Sequence, residues 1–498
     1  MQLRDKDLLS VQEVRELVAS AKEAQAELAG KNQEYVDLLC KSIARAGVRN
    51  AERLGRMAWE DTGFGTPQDK KIKNVFGSRA VYEHIKDMKT VGMIEWNPEK
   101  RLRTYAVPLG VIAGIIPSTN PTSTAFYKSL IAIKAGNAIV FSPHPQAKRC
   151  ILESVKVIRQ AILEAGGNEN LVSCITIPTM QATDSLMRHT DVALILATGG
   201  SAMVRAAYSS GTPALGVGPG NGPSFIEKSA DLKRAVSQIV TSKTFDNGTI
   251  CASEQSVICT DDYFPEVKAE MEKQGCCFLD TAARDRLGKY ILRANGTMNP
   301  EIVGKNAQVI AGLAGITIPE STKIIVAMED GVGRGHPYSN EKLAPILAFY
   351  TAPDLNQVIA KCVEILCYEG AGHTASIHSQ DEDIISLYAA KLPVSRIIVN
   401  DGATLGGIGA TTGLPPALTL GCGAEGGSST SDNVGPLNLI NKRFVAYQTK
   451  TVKEIIESMP ACPDGICNPE LSGSGLGDAE IKAVVDEIMK RLTALQQA

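Results

Sequence analysis

Thr244-Phe245-Asp246-Asn247-Gly248-Thr249-Ile250-Cys251-Ala252-Ser253-Glu254-Gln255-Ser256 is the stretch around which the chain is organised. Asn247-Gly248 is a tight-turn pair, and Ala252 to Ile258 beyond it is an apolar run broken by polar residues. The turn therefore delivers Cys251 to the junction of a loop and a regular element, where a nucleophile is usually presented. A thiolate there can add to an aldehyde carbonyl, and the adduct is set up to lose hydride to a nicotinamide. Cys251 is also one of twelve cysteines, most of which read as small buried apolar residues. Spacing alone leaves that second reading open.

Outward from this stretch, the chain from Pro108 alternates short apolar runs with helical segments. Val111 to Ile116, Ala138 to Phe141 and Val192 to Ala197 are the runs, and the alternation is the βαβ signature of a parallel sheet. Upstream, residues 10–48 read as amphipathic helix, with Ser10 and Glu13 spaced as a capping box ahead of Val14, Leu17, Val18 and Ala21. Val91 to Trp96 and Leu102 to Val107 flank Asn97-Pro98-Glu99-Lys100 as a β-hairpin. A length of 498 residues supports two large lobes without covalent staples. The net charge of -3 supplies no basic field for nucleic acid. The charged start, Met1 to Asp7, lacks the apolar core of a signal peptide, and no run of ~18 apolar residues suggests a membrane span. Scattered cysteines, two of them adjacent at Cys276-Cys277, fit a reduced cytoplasmic setting. Cys462 and Cys467 have no second ligand pair nearby, so no metal site is expected.

Phe245 to Gln255 resembles the active-site segment of the aldehyde dehydrogenase superfamily. It is most similar to the CoA-acylating branch, which includes the N-terminal halves of bifunctional aldehyde-alcohol dehydrogenases and the aldehyde dehydrogenases of bacterial microcompartments. The likeness runs from about residue 10 to about residue 445. It implies an α/β fold of two Rossmann-like parallel-sheet lobes plus a β-flap that serves oligomerisation, the hairpin pairing with a late strand near Arg443 to Tyr447. The expected division is a cofactor-binding domain over 1–240, including part of the flap near 90–108, a catalytic domain over 241–425 and a flap strand within 426–455.

The resemblance also assigns roles. Cys251 would be the nucleophile, and Asn120, in the turn Pro117 to Thr122, would hold the oxyanion of the thiohemiacetal with its side-chain amide; such a donor contributes about 3 kcal/mol. A helix-capping role for Asn120 ahead of Pro121 is the alternative. Thr198-Gly199-Gly200-Ser201 matches the family's short pyrophosphate turn between a strand and a helix. Ser142 and His144 stand in the loop that meets the adenine ribose; where relatives usually carry Lys and Glu in it, this chain has Ser142 and Pro145. No carboxylate repels a 2′-phosphate there, so NAD is expected with NADP also open. Glu341, in Glu341-Lys342-Leu343-Ala344-Pro345, would hold the nicotinamide ribose hydroxyls. Gly372-His373-Thr374 resembles the acylating branch, with His373 lowering the thiol pKa or taking the proton of the CoA thiol.

In acid-forming relatives the run Gly216 to Pro223 begins with a Glu that activates water; here that position is Val217, which cannot accept a proton. The implied reaction is oxidation of a short-chain aldehyde, acetaldehyde or propanal, with NAD and coenzyme A to acyl-CoA. A homodimer or dimer of dimers is expected, with no nucleic acid and no membrane. A free-acid aldehyde dehydrogenase and a catalytically idle structural member are the alternatives. Residues 456–477 read as a Pro/Gly/Ser-rich linker, and 478–498 as an amphipathic helix similar to encapsulation peptides that dock on microcompartment shell proteins. The bifunctional relatives' alcohol dehydrogenase half is not expected, which suggests a monofunctional enzyme.

Overall fold

The protein is described by a computed structural model covering residues 5–293 and 296–458 with a few isolated positions between 479 and 490. Most of the helix expected at 478–498 and most of the expected linker lie outside the described residues; the positions described there, Ala479, Lys482, Ala483, Val485, Asp486, Glu487 and Lys490, are helical. The linker's first residues do not: 456–458 belong to the helix Val452–Ser458.

In chain order the strands are β1 (Gly92–Asn97), β2 (Leu102–Pro108), β3 (Val111–Ile116), β4 (Ala138–Pro143), β5 (Val172–Cys174), β6 (Val192–Thr198) and β7 (Ala214–Val217). They continue with β8 (Gly222–Ile226), β9 (Glu254–Thr260), β10 (Cys276–Phe278), β11 (Ile324–Met328), β12 (Ile346–Ala352), β13 (Gly372–His378), β14 (Val394–Val399) and β15 (Ile440–Ala446). Two sheets carry the large unit. One is five-stranded, β5-β4-β3-β6-β7, and the other seven-stranded, β10-β11-β12-β9-β8-β13-β14. Every paired register in both is parallel. The third sheet, β1-β2-β15, is the expected flap with its late strand.

Chain contacts separate a large unit, running to Glu95 and from Thr104 to Arg443, from a small one formed by Trp96–Arg103 and the chain from Phe444. Within the small unit Trp96 meets Tyr447 edge-on at 6.2 Å, and Arg103 stacks on both rings.

The strand sequences explain the layering. On β12 the side chains alternate: Ile346, Ala348 and Tyr350 join one apolar cluster, and Leu347 and Phe349 join another on the opposite face. A strand apolar on both sides is stable only when helices cover both faces of a parallel sheet. All six residues of β3 are buried for the same reason.

The sequence boundaries shift in two places. The helical stretch expected at 10–48 is two helices, α1 (Lys6–Ala29) and α2 (Gln33–Thr62), and Asp5 rather than Ser10 caps the first by accepting from the Asp7 and Leu8 amides. Ser10 is buried inside α1 and bonds Thr179, while the Glu13 carboxylate accepts from the amides of Thr176 and Ile177. Asp5 outcompetes Ser10 because its charge also complements the helix dipole. The second shift concerns the lobes: the seven-stranded sheet begins with β8 at Gly222, so the sheets divide between Val217 and Gly222, ahead of the expected boundary at 240.

At Gly372, where β13 starts, φ is +77°, and an added Cβ would stand 1.8 Å from the Cys422 carbonyl oxygen. Both backbone atoms belong to packed segments, so neither can yield cheaply. Gly372→Ala is expected to lower the unfolding free energy by about 3 kcal/mol, read as a shifted denaturant midpoint with an unchanged slope.

Candidate active site

In the five-stranded sheet the chain moves from β3 outward to β4 on one side and to β6 on the other. Such a reversal leaves a crevice at the carboxyl ends of the strands, the usual ligand position in an open α/β sheet. The structure has its main cavity there, about 500 Å³ in volume. Ile116–Asn120 after β3, Ser142–Gln146 at the end of β4, Thr198–Gly200 after β6 and Val217–Pro219 after β7 line one side. Thr249, Ile250 and Cys251, immediately before β9, line it from the other sheet, together with Glu341.

The loop that presents Cys251 is sharply bent: Asp246, Asn247 and Gly248 all have positive φ, at 47°, 52° and 74°. Asp and Asn tolerate this left-handed region better than other side chains, and neighbours must still hold them there. The Asn247 amide donates to the Gly304 carbonyl at 2.9 Å. Asp246 is anchored more heavily. Its carboxylate accepts from the Thr66 amide, from Thr249 Oγ1 at 2.6 Å, from Lys70 Nζ at 3.1 Å and from Lys73 Nζ. Burial alone would raise this carboxyl, but the two ammonium groups outweigh it and hold it below the ordinary value.

Both lysines come from α3 (Pro67–Val75), which starts at Thr66, the Thr66 Oγ1 accepting from the Asp69 amide with Pro67 at the first turn. Asn120 occupies the N-cap position of helix Pro121–Lys134 without making a side-chain cap bond. Its Oδ1 instead accepts from Lys73 Nζ at 2.6 Å, and Nδ2 donates to Thr119 Oγ1 at 3.2 Å. The capping alternative is thus not what the structure shows.

Burial pushes the Cys251 thiol up to about 12, with Glu341 adding to the rise and Arg396 opposing it. Glu341 is itself raised to about 8 by burial and by Glu369 nearby; its Oε1 accepts from the Gly220 amide at 2.9 Å. Gly220 sits so close to Cys251 that a Cβ on it would lie 2.0 Å from the Cys251 carbonyl oxygen. Lys128, fully buried, donates to the carbonyls of Ile115 and Leu196 and so ties β3 to β6 beside the crevice; burial pushes its amine well down.

Cys251, Asn120, Ser142, His144, Thr198, Gly199, Gly200, Glu341 and Val217 meet around this one cavity. Ser201 and His373 are not among its lining residues. Ser201 is exposed as the first residue of helix Ser201–Tyr208. His373 is buried on β13, its Nδ1 within 3.0 Å of Thr374 Oγ1 and its Nε2 without a partner. Burial and Arg396 lower it to about 3, so at neutral pH it is an uncharged imidazole, and it is the neutral form that must account for any part it plays. Lys70, Lys73 and Asp246 were not singled out by the sequence. The available signal was the i, i+3 spacing of the lysines on α3, which ordinarily marks a solvated face. The described cysteines are free, and Cys251 is one of the few not fully buried.

A model of the aldehyde dehydrogenase family matches residues 5–275. The bifunctional aldehyde-alcohol dehydrogenase of Escherichia coli (strain K12) is 42% identical over 448 residues, 89% of this chain and 50% of that protein. The chain therefore spans about half the length of such curated relatives. Succinate-semialdehyde dehydrogenase (acetylating) of Clostridium kluyveri is 38% identical over 88% of this chain and 97% of its own. The solved structure of a probable aldehyde dehydrogenase from Listeria monocytogenes is 59% identical, with a TM-score of 0.90, covering 91% of this chain and all of that one (100%). The chain belongs to the aldehyde dehydrogenase family.

The two upward shifts fix the sign of a pH effect. At neutral pH the thiol is protonated, and the thiolate fraction grows as pH rises. Alkylation of Cys251 by iodoacetamide, read by peptide mass, is expected to accelerate steadily from pH 7 to pH 9. Glu341→Gln removes a negative neighbour and should speed it severalfold at pH 9. Slower alkylation of that variant would instead identify Glu341 as a base toward the thiol.

Proposed function

We propose that the protein is a CoA-acylating aldehyde dehydrogenase that oxidises a short, uncharged aldehyde with NAD, or NADP, and coenzyme A. The observation that carries the reading is Val217 on the cavity wall. Glu341 is the only carboxylate among the cavity-lining residues, and its Oε1 is already engaged by the Gly220 amide. A site that hydrolyses a thioester needs a base beside the acyl carbon, and at the position where acid-forming relatives carry that Glu this cavity has the apolar Val217. The similarity to a relative named as acetylating supports the same choice.

The residues fit the cofactor. Gly200 and Gly218 have nothing within 4 Å of where a Cβ would stand, which leaves room for close approach at the carboxyl ends of β6 and β7. Thr198, Gly199 and Gly200 would hold the pyrophosphate, Ser142 and His144 the adenine ribose, and Glu341 the second ribose. We take the five-stranded half as the cofactor-binding part and the seven-stranded half as the catalytic part. When bound, the nicotinamide supplies the hydride acceptor.

The chain's own residues do the rest. Cys251 loses its proton and its sulfur adds to the aldehyde carbon, with the carbonyl oxygen becoming an oxyanion that an Asn120 N–H stabilises. Hydride departs and leaves a thioester on Cys251. The CoA sulfur then attacks the same carbon, Cys251 leaves as thiolate and regains a proton as the CoA thiol loses its own, and acyl-CoA forms.

Phe64, Ile250, Pro300, Val303, Leu343 and Leu418 supply apolar wall, and no Lys or Arg lines the cavity. An anionic aldehyde such as succinate semialdehyde would be desolvated there without a counter-ion, which selects acetaldehyde or propanal. The flap is proposed to join copies into a homodimer or dimer of dimers, and 478–498 to address the enzyme to a microcompartment shell.

NADH formation from acetaldehyde is expected to be sustained only with CoA, with acyl-CoA as product, and to be far weaker with succinate semialdehyde. Cys251→Ala should retain no more than a few per cent. Fast acid production without CoA would overturn the reading. For the address, a fluorescent protein carrying residues 478–498 should co-purify with shell proteins, and its failure to do so would remove that part of the proposal.

A further inference from the structure

Lys73 is 2% exposed and lies behind the cavity wall rather than on it. Nothing in the reaction just described uses it, yet three of its contacts reach active-site elements. Its Nζ donates to Asn120 Oδ1 at 2.6 Å, to Thr249 Oγ1 at 3.3 Å and to the Asp246 carboxylate. Thr249 stands two residues before Cys251, and Asp246 holds the bend that presents it. A single ammonium thus touches both the oxyanion donor and the segment carrying the nucleophile.

The chemistry of the two side chains fixes an orientation. An ammonium has three donors and no acceptor, whereas an amide has a donor end and an acceptor end of nearly equal shape. Were the Asn120 amide turned over, its NH₂ would face the Lys73 NH₃⁺ at hydrogen-bond distance, donor against donor in a buried place. Lys73 therefore permits only the arrangement with Oδ1 toward itself. Nδ2 then gives one N–H to Thr119 Oγ1 and keeps the second for the cavity. Lys73 in its turn is held by Asp246, which Lys70 and the Thr66 amide also grip.

We propose that Lys73 is a positioning residue for the oxyanion donor: anchored on Asp246, it locks the Asn120 amide with its free N–H toward the carbonyl oxygen of the substrate bound at Cys251. This rests on the proposed chemistry at Cys251. Its consequence is that Lys73 acts on the rate through Asn120, the bend before Cys251 being held also by Lys70 and the Thr66 amide on Asp246. Without Lys73 the amide turns its NH₂ toward the Asp246 carboxylate that the ammonium had separated from it, and its donor is replaced by an acceptor facing a developing anion.

The test is a double-mutant cycle on the full chain, reading the single-turnover burst of NADH from acetaldehyde and NAD without CoA. That burst precedes the acyl acceptor, so it is independent of whether CoA or water receives the acyl group. Asn120→Ala is expected to slow the burst on the order of 100-fold, the loss of one oxyanion donor. Lys73→Met should slow it by a similar factor with the KM for NAD within about threefold of the unaltered chain, and Lys73→Arg, again donors only, should recover most of the loss. Lys73→Met added to Asn120→Ala should cost no more than about threefold further. Multiplying losses in the double variant, or a Lys73→Met burst near that of the unaltered chain, would overturn the proposal. So would an undiminished burst in Asn120→Ala. If Lys73→Met yields no folded protein, Lys73→Gln carries the same cycle, because its amide keeps a polar group in the cluster while tolerating both orientations of Asn120.

Discussion

The structure depends on one buried carboxylate. Asp246 is fully enclosed, and the pair of lysines that hold it, Lys70 and Lys73, are each about 2% exposed. Taking such ions out of water is costly, and their attraction offsets the cost only when the remaining donors and acceptors are satisfied. Here they are. Asp246 accepts from the Thr66 amide and Thr249 Oγ1 as well, and a second acid, Asp69, accepts from the Asp246 amide and from Thr66 Oγ1. Two acids against two ammonium groups leave the cluster without net charge. The return is geometric, because α3, the turn after β3 and the loop before β9 are far apart in sequence and meet at these atoms. The left-handed backbone at Asp246 and Asn247 persists because its surroundings over-determine it.

The same burial has opposite consequences on the two sides of the cavity. It holds the Cys251 thiol protonated at rest, which by itself weakens the nucleophile. It also lowers the local dielectric, which makes a fixed Asn120 N–H worth more to an oxyanion than it would be in water. Placing the donor on a strand-to-helix turn, and the thiol on a loop braced by Asp246, lets one desolvated space serve both groups. A positively charged group lining the cavity would ease ionisation of the thiol. None lines it, and the cation that opposes the rise, Arg396, has hydrogen bonds to the carbonyls of His373, Gly421 and Ser431.

Much of this was legible in the sequence because it rests on local pattern. Continuous apolar runs at Val111, Ala138 and Val192 could be little other than buried parallel strands, and the turns that end them had to fall at one edge of a sheet. Cys251, Asn120, Glu341 and Val217 stand in short motifs, and the fold brings the four of them around one cavity. What was missed runs against pattern. On α3 the buried face is Lys70, Lys73 and Asn74, while Ile72 is 44% exposed, so hydropathy would place this helix the wrong way round. Ser10 has the spacing of a cap, but the helix starts a turn earlier, at Asp5. His373, flanked by glycines, was expected to act on a thiol, and the structure buries it on β13. Its glycines instead let β13 begin tight against the Cys422 backbone, which draws the imidazole into the interior.

The inverted helix and the apolar residue at Val217 belong to one arrangement. A hydrolytic site must keep water and a charged base beside the acyl carbon, and the base must stay ionised, which requires solvent or a cation in the cavity. Here the cations are withdrawn behind the wall, on Asp246 and on carbonyl oxygens, and the one carboxylate that remains is raised to about 8 and engaged by the Gly220 amide. A thioester in such a space is poorly placed for attack by water and well placed for a softer nucleophile that carries its own reactivity. On the proposed function, choice of acyl acceptor is written less in any single catalytic group than in where the chain has put its charges: outside the cavity, where they fix geometry, and not inside it, where they would activate water.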